Sequence, residues 1–438
     1  MAEVLTAGNG VTEYLNADAV REAVQRGPHW LGAWRMEAWH VYESMPLPSR
    51  QLEEWRYTDV SAFKIDKVKP ALCSPPAGIP DGARELLAGR AAAGTVVQID
   101  GCIAEITLHP ELRNKGVLLL DLAEAAEQHQ ELVERHLGTI LPASYGKFAA
   151  LNAALWDGGI FVYVPRGVRI EQPIRVVRWI TEEGSAAFPR TLIVADEGSH
   201  FGFVETFGSP DFAKPTLSCA GVEIAATASA HLQYVAIQQY GKNVRHVAAQ
   251  RTVAGRDANL DTLVVNLGGS VARLDLAASL EGPGARSDML GLYFASGSQH
   301  FDHNTRQDHK VPHASSDLLY KGALYDRSRA VFRGLIKVFP RAQRTDAYQT
   351  NRNLLLSNRA EATSLPNLEI EADDVRCSHA ATVGHLDQEE LFYIMSRGVT
   401  RDVAERLVVF GFLGEVFDRL PMPGVVDELR AAIEAKIG

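Results

Sequence analysis

The sequence predicts a mainly β protein with helical ends, built around a parallel β-helix. Three observations predict this. From about residue 140, long helical patterns vanish for roughly 240 residues, and short β-like runs separated by small or polar residues replace them. The step from turn to following strand looks alike in EGSHFGF, TASAHLQY, RDANLDTL, PGARSDML and DRSRAVFRG, with the small residue at Ser199, Ala230, Ala258, Ala285 and Ala330. The gaps between these residues are 31, 28, 27 and 45, all near multiples of about 15, and a strand-turn unit on a fixed step marks a β-solenoid. A sandwich also gives short strands and turns, but it needs no such even step.

The elements divide the chain into a mostly helical region with a small hairpin (1–139), the β-helix (140–385) and a C-terminal helical domain (386–438). Residues 11–60 read as helical, with Leu31, Trp34, Ala38 and Val41 on one face, and Pro46 and Pro48 stop the pattern. EEWRYTDV (53–60) reads as an aromatic anchor for a loop. Residues 70–90 are a Pro-, Gly- and Ala-rich linker. TVVQIDGCIAEITL (95–108) predicts a hairpin around Asp100-Gly101. LLLDLAEAAEQHQELVERHL reads as helix. In the solenoid, IFVYV, RTLIVA, HFGFVETF, GVEIAA, HLQYVAIQQY, DTLVVNL, VARLDLAASL and LGLYFASG are the strands.

A solenoid leaves unpaired edges at both ends, which invite association. The helical N-terminal region is expected to cover one and the C-terminal region the other. In the latter, Asp387 is an N-cap with Glu390 three residues on, Gly398 suits a helix stop, and Thr400 caps RDVAERLVVFGFLGEVFDRL. Pro421 and Pro423 end that segment, and Leu429, Ile433 and Ile437 mark a last helix. The middle helix is apolar nearly all round (Leu407, Phe410, Phe412 and Leu413 among others), so it is buried on more than one side, part of it by a partner chain.

The chain has 438 residues and a net charge of −10, which argues against nucleic acid or an anionic membrane as main partner. No apolar run reaches the roughly 18–20 residues a bilayer span needs. The start, MAEVLTAGNGVTEYLNADAV, has neither a basic nor an apolar leader region, so no secretory signal is expected and the expected location is cytoplasmic. Cys73, Cys102, Cys219 and Cys377 lie far apart and read as free thiols in a reducing cytosol.

Most catalytic motifs fail. Gly-Lys occurs at 146–147 and 241–242 without the rest of a phosphate loop, and there is no G-x-S-x-G or H-E-x-x-H. Asp373 and Asp374 are adjacent, so in a strand their carboxylates point to opposite faces. His303, His309 and His313 read either as a metal or anion site or as hydrogen-bonded histidines in long turns; no standard zinc spacing is met. In DDVRCSHAATVGH (373–385), Cys377 and His379 stand two apart and share a strand face. Thiolate and imidazole are good ligands for iron and zinc, but two ligands do not close a site. The pair is therefore an incomplete site finished by another chain, or an ordinary strand pair.

KGALYDRSRAVFRGLIKVFPRAQRTDAYQTNRNLLLSNRAEATSLPNLEIEADDVRCSHAATVG (321–384), continued by LDQEELFYIMSRGV, resembles the SufB/SufD family of iron–sulfur cluster assembly proteins. ADDVRCSHAATVG, NRNLLLSNRAEA and the N-terminal EEWRYT are similar to the SufD branch. The resemblance implies a right-handed β-helix that pairs with a SufB-like chain, C-terminal helices that bind the ATPase SufC, and no catalysis of its own. It also implies no tightly bound cofactor, but transient iron or a nascent cluster where the two β-helices meet. His379 matches a histidine also found in the SufB branch, whereas Cys377 matches only the SufD pattern, so His379 ranks first as ligand. Asn351 stands where SufB-like chains carry a sulfur-accepting cysteine, and asparagine forms no persulfide. Two other readings stay open: a β-helix enzyme acting on polysaccharide, which predicts secretion and a ladder of acids where this chain's acids look scattered; and a metal-binding homodimer of the isolated chain, closed by two copies of Cys377 and His379.

Overall fold

The computed structural model describes residues 8–71, 73, 78–419, 422 and 424–437. Its N-terminal part carries helices α1 (Ala17–Val24), α2 (His29–Ser44), α3 (Asp81–Glu85), α4 (Pro110–Asn114), α5 (Leu122–Gln128), α6 (Gln130–His136) and α7 (Lys147–Leu155), and strands β1 (Lys69–Pro70), β2 (Gly94–Ile99), β3 (Cys102–Leu108) and β4 (Leu118–Asp121). The hairpin β2–β3 turns at Asp100 and Gly101, both at positive φ, as a tight two-residue turn requires. Leu118–Asp121, read as helix, is a strand because it pairs antiparallel with the first solenoid strand; the Asp121 carboxylate then caps α5. Trp55 is the expected anchor: its ring packs on Phe63 and Phe148, with the Arg273 guanidinium 4.0 Å from its centroid.

The solenoid alternates between two parallel sheets. One contains β5 (Ile160–Val164), β8 (Arg190–Ala195), β10 (Thr216–Ala226), β12 (Val244–Ala254), β14 (Val271–Leu280), β16 (His300–His309), β18 (Arg329–Val338) and β20 (Glu361–Ile370), with β7 (Ser185–Ala187) and β1 beside it. The other contains β6 (Ile174–Trp179), β9 (His200–Gly208), β11 (His231–Gln239), β13 (Asn259–Asn266), β15 (Arg286–Ala295), β17 (Ser315–Leu324), β19 (Thr345–Leu355) and β21 (Val375–His385). Pairings such as His200↔His231↔Asn259↔Arg286 set a coil of 27 to 31 residues, two half-steps of about 15. Ala230, Ala258 and Ala285, joined by Ala314, pack into the lumen at the corner before each strand of the second sheet. Ala330 belongs to the first sheet, which is why its gap is one and a half coils.

The coverings differ from those expected. The N-terminal end of the solenoid is closed by antiparallel strands, β4 on one sheet and β3 on the other, with Leu112 of α4 against luminal residues. Helices α2 and α7 instead flank the outer face of the first sheet, where Leu192, Leu217 and Val247 need apolar cover. The loop before α7 is tied there by Glu223, which accepts from the backbone of Gly138, Ile140 and Leu141 and pairs with buried Arg190; Arg190 in turn donates to Asn152 of α7 at 3.0 Å. At the other end, α8 (Gln388–Met395), α9 (Arg401–Asp418) and α10 (Val425–Ile437) do not cap the solenoid. Helices α9 and α10 lie back along the outer face of the second sheet, burying Val409, Leu413, Val416, Leu429 and Ile433 against Val235, Leu263, Leu290 and Leu319. That face is apolar in its own right, so it claims the helices and leaves the last coil bare. The expected capping by Asp387 is present; Thr400 is an N-cap without a side-chain bond, and Pro421 and Pro423 lie outside the described residues.

The cysteines also depart from expectation. Cys73 and Cys102 form a disulfide, their Cα atoms 4.7 Å apart, because Cys73 lies against the hairpin turn. Cys219 and Cys377 are free. Among the described residues no helix is long and apolar enough to cross a membrane.

Candidate functional site in the last coil

Strands β20 and β21 each pair on one side only, so 10- and 11-residue edges end the two sheets. Alternation along β19 buries Ala347, Gln349, Asn351 and Asn353 and exposes Asp346, Tyr348 and Arg352. The register Ala347↔Cys377, Gln349↔His379 and Asn351↔Ala381 therefore puts Cys377, His379 and Ala381 on the luminal face of β21. Among the described residues no further coil covers them, and that face is open at the end of the solenoid.

Cys377 and His379 are brought to one face, about 7 Å apart along the strand by the rise per residue. Cys377 is half-buried against Ile336, Val338 and Ala347. Burial, then the Asp346 carboxylate, pushes its thiol pKa up, which disfavours the thiolate unless a cation is present. His379 is exposed. Among the described residues no group of three or more His, Cys, Asp or Glu side chains is placed to hold a metal ion, so within this chain the pair remains two donors.

The other candidate histidines are not assembled. His303 and His309 are in strand β16 rather than in turns, and both are buried in the lumen. His303 stacks on Tyr293 with centroids 4.7 Å apart, and His309 Nε2 lies 2.8 Å from Ser316 Oγ. Burial lowers the pKa of each imidazole to about 4. His313 is exposed in the following turn at positive φ. Asn351 is fully buried, donating to Tyr293 Oη at 3.2 Å and to the Tyr320 carbonyl at 3.3 Å.

Two features escaped the sequence reading. Gln349 is fully buried one coil below His379, and among the described residues neither amide atom has a hydrogen-bond partner. A coil step of 30 links the two positions, but it is visible only once the register is known. Asp261, Asp288 and Asp317 stack on successive coils, so the acids are less scattered than they look. Each has a nitrogen partner within 3.5 Å, the His231 ring, the Arg286 guanidinium and the Arg419 guanidinium respectively, and together they do not form a free carboxylate groove.

The C-terminal candidates separate as well. Leu413 is fully buried against the solenoid, and Phe410 and Phe412 pack partly on the same cluster, with the Lys321 ammonium 4.9 Å from the Phe412 centroid. Leu413 is thus committed to this chain's own core, because it falls on the stripe of α9 that faces β15 and β17. Leu407 is 53% exposed, beside the exposed Phe392, Tyr393, Met395 and Val403.

Comparison with known proteins agrees with this architecture. Residues 178–412 match the family described as SUF system FeS cluster assembly, SufBD core domain, and residues 92–176 match the SufBD protein N-terminal region. Iron–sulfur cluster assembly SufBD family proteins of Staphylococcus saprophyticus and Staphylococcus epidermidis are 29% and 28% identical, each over 99% of this chain and 96% of the relative. One from Staphylococcus aureus is 28% identical over the same shares. With its solenoid core matched over more than half its length, the chain belongs to the SufBD family of iron–sulfur cluster assembly proteins.

Proposed function

We propose that this chain is the SufD-type, non-catalytic subunit of a SufBCD-type complex, with the bare last coil as its contact with a SufB-like β-helix. The observation that carries this reading is the uncovered end of the solenoid. Two long unpaired strand edges are association-prone, which supports a partner that supplies the next strands. His379 and Cys377 sit on the luminal face of that end, so a partner docked there adds the donors that two residues lack. Iron or a nascent cluster is cargo in this scheme, held transiently across the junction. His379 is the leading ligand, since it is exposed at the open end and a ring nitrogen is a good donor to iron. Burial and the Asp346 carboxylate disfavour the Cys377 thiolate, and a bound metal would favour it.

The exposed apolar stretch of α8 and α9, with Leu407, Phe392 and Tyr393, supports docking of a SufC-like ATPase there, with Phe410 and Phe412 at its inner margin. Nucleotide chemistry then belongs to that partner. Asn351, held by two buried hydrogen bonds, positions no sulfur, so sulfur acceptance falls to the SufB-like chain.

The test is co-expression of the tagged chain with SufB-like and SufC-like partners, followed by anaerobic reconstitution with iron and sulfide. We expect a ternary complex whose cluster absorbance requires the SufB-like chain. A homodimer of the isolated chain that binds iron stoichiometrically without partners overturns the reading in favour of a self-contained metal protein.

A further inference from the structure

A cavity of about 670 Å³ lies away from the last coil, on the ridge where strands of the second sheet turn into strands of the first. Three successive turns line it, Tyr240–Asn243, Leu267–Ser270 and Ser296–Gln299, and the last turn of α10 forms one wall. Two of its glycines are structural necessities. A Cβ on Gly241 or Gly268 would collide with the backbone of the preceding coil, at Pro210 and Tyr240 respectively. The turns therefore stack backbone on backbone, and the walls present main chain rather than side-chain bulk.

Charge in the cavity opposes that of the chain. Lys242, Arg245 and Lys436 line it, with Asp211 as the one carboxylate among its lining residues. Asp211 is already satisfied: it accepts from Lys242 N at 2.8 Å, and its other oxygen lies 3.2 Å from Lys242 Nζ. Arg245 donates from Nε to the Ala62 carbonyl and from Nη1 to the Asn243 carbonyl, both at 2.8 Å. Lys436 donates to the Leu267 carbonyl and to Gln299 Oε1. Neither Arg245 nor Lys436 has a carboxylate within ion-pair distance among the described residues. Lys436 in part offsets the carbonyl end of α10, but Arg245 offsets nothing. Two partly buried cations held by neutral carbonyls, in a protein of net charge −10, leave local positive charge for a ligand to neutralise.

We propose that this cavity binds a small phosphate-bearing molecule, with Arg245 and Lys436 as its anion-recognising groups and Lys242, shared with Asp211, at its rim. Charge-assisted bonds from a guanidinium and ammonium groups are the standard recognition of phosphate oxygens. The volume exceeds that of one bare phosphate and lies within the range of roughly 300–1,000 Å³ typical of small-molecule sites.

The experiment is calorimetric titration of the full chain in a chloride buffer with inorganic phosphate, pyrophosphate or adenosine monophosphate. We expect saturable one-to-one binding of at least one, weakening with added salt. Lys242→Glu, at an exposed side chain with little bearing on folding, and Arg245→Met should each weaken it about tenfold or more. Binding of the nucleotide but not of phosphate identifies a phosphorylated metabolite as ligand, and the reverse identifies the free oxyanion; either supports the site. No saturable binding of any probe at millimolar concentration, or affinity unchanged in Lys242→Glu, overturns it.

Discussion

Gln349 lies directly beneath His379 in the luminal register of the last two coils, with both atoms of its amide buried and unpartnered. A buried amide without partners costs stability, on the order of 1–3 kcal/mol. The amide would gain its missing hydrogen bonds from a group held beside it in the last coil. Gln349→Leu should therefore leave the urea midpoint unchanged or raise it, while lowering the iron retained by the reconstituted complex. A loss of stability comparable to that of a core truncation would show that Gln349 is ordinary packing.

The neighbouring pair should respond unequally. His379 is exposed and touches little of the core, so His379→Ala should leave folding and partner assembly intact and lower cluster formation in the complex. Cys377 is half-buried against Ile336 and Val338, and burial pushes its thiol pKa up, which disfavours the thiolate, so Cys377→Ser should do less. Anaerobic reconstitution followed by absorbance and iron content reads both variants. Normal cluster formation in His379→Ala removes the ligand role.

These positions also show where sequence reasoning stops. The half-step of about 15 residues and the strand runs gave the solenoid, since burial in a repetitive coil imposes repetition on the chain. Register follows from that step, and the common face of Cys377 and His379 followed from their spacing. What lay beyond reach depends on surfaces that do not repeat. The apolar stripe of α9 is visible in LVVFGFLGEVF, but that it covers Leu263 and Leu290 rather than the solenoid end depends on the outer face of another element. Cys73 and Cys102 pair because the fold sets Cys73 against the hairpin turn, a proximity that composition does not encode. Leu118–Asp121 reads as helix locally and is a strand because β5 offers it an edge.

Tyr293 and Tyr320 each lie over a glycine of an adjacent strand, Tyr293 against Gly322 and Tyr320 against Gly291. A Cβ on Gly322 would fall inside the Tyr293 ring, which is fully buried and held by Asn353. Gly322→Ala should cost about 1–3 kcal/mol, the usual price of overpacking a filled core. Gly384→Ala, where a Cβ meets open space, is the control. Equal urea midpoints for the two variants would contradict the packing described.

Acid should destabilise the chain through its luminal histidines. Burial sets His303 and His309 at about 4 in the fold, against about 6.5 unfolded. A lowered folded pKa means that the unfolded chain takes up the proton first, so stability is complete above pH 6.5 and is lost as pH falls toward 4. By pH 5 the loss is roughly 2 kcal/mol for each histidine. His303→Gln should flatten the dependence of the urea midpoint on pH between 7.5 and 5. An unchanged slope would place the acid sensitivity elsewhere.

The C-terminal helices allow a separation of docking from folding. Removing them whole would strip cover from Leu263, Leu290 and Leu319, so truncation would expose the second sheet and test nothing about a partner. Point variants avoid this. Phe392 is 74% exposed, and Phe392→Asp should leave the urea midpoint within about 0.5 kcal/mol of wild type, as surface changes do. The same variant, or Leu407→Asp, should weaken binding of the SufC-like ATPase by about 2–4 kcal/mol, or roughly 30- to 1,000-fold, as loss of an anchor from an interface centre does. Leu413→Ala should do the opposite: it opens a cavity in the α9–solenoid core and costs about 2–5 kcal/mol of stability, with binding by the folded fraction retained. Chemical denaturation and calorimetric titration of the three variants decide between the roles. If Phe392→Asp and Leu407→Asp both bind the ATPase with wild-type affinity, the exposed stretch of α8 and α9 is not its docking surface.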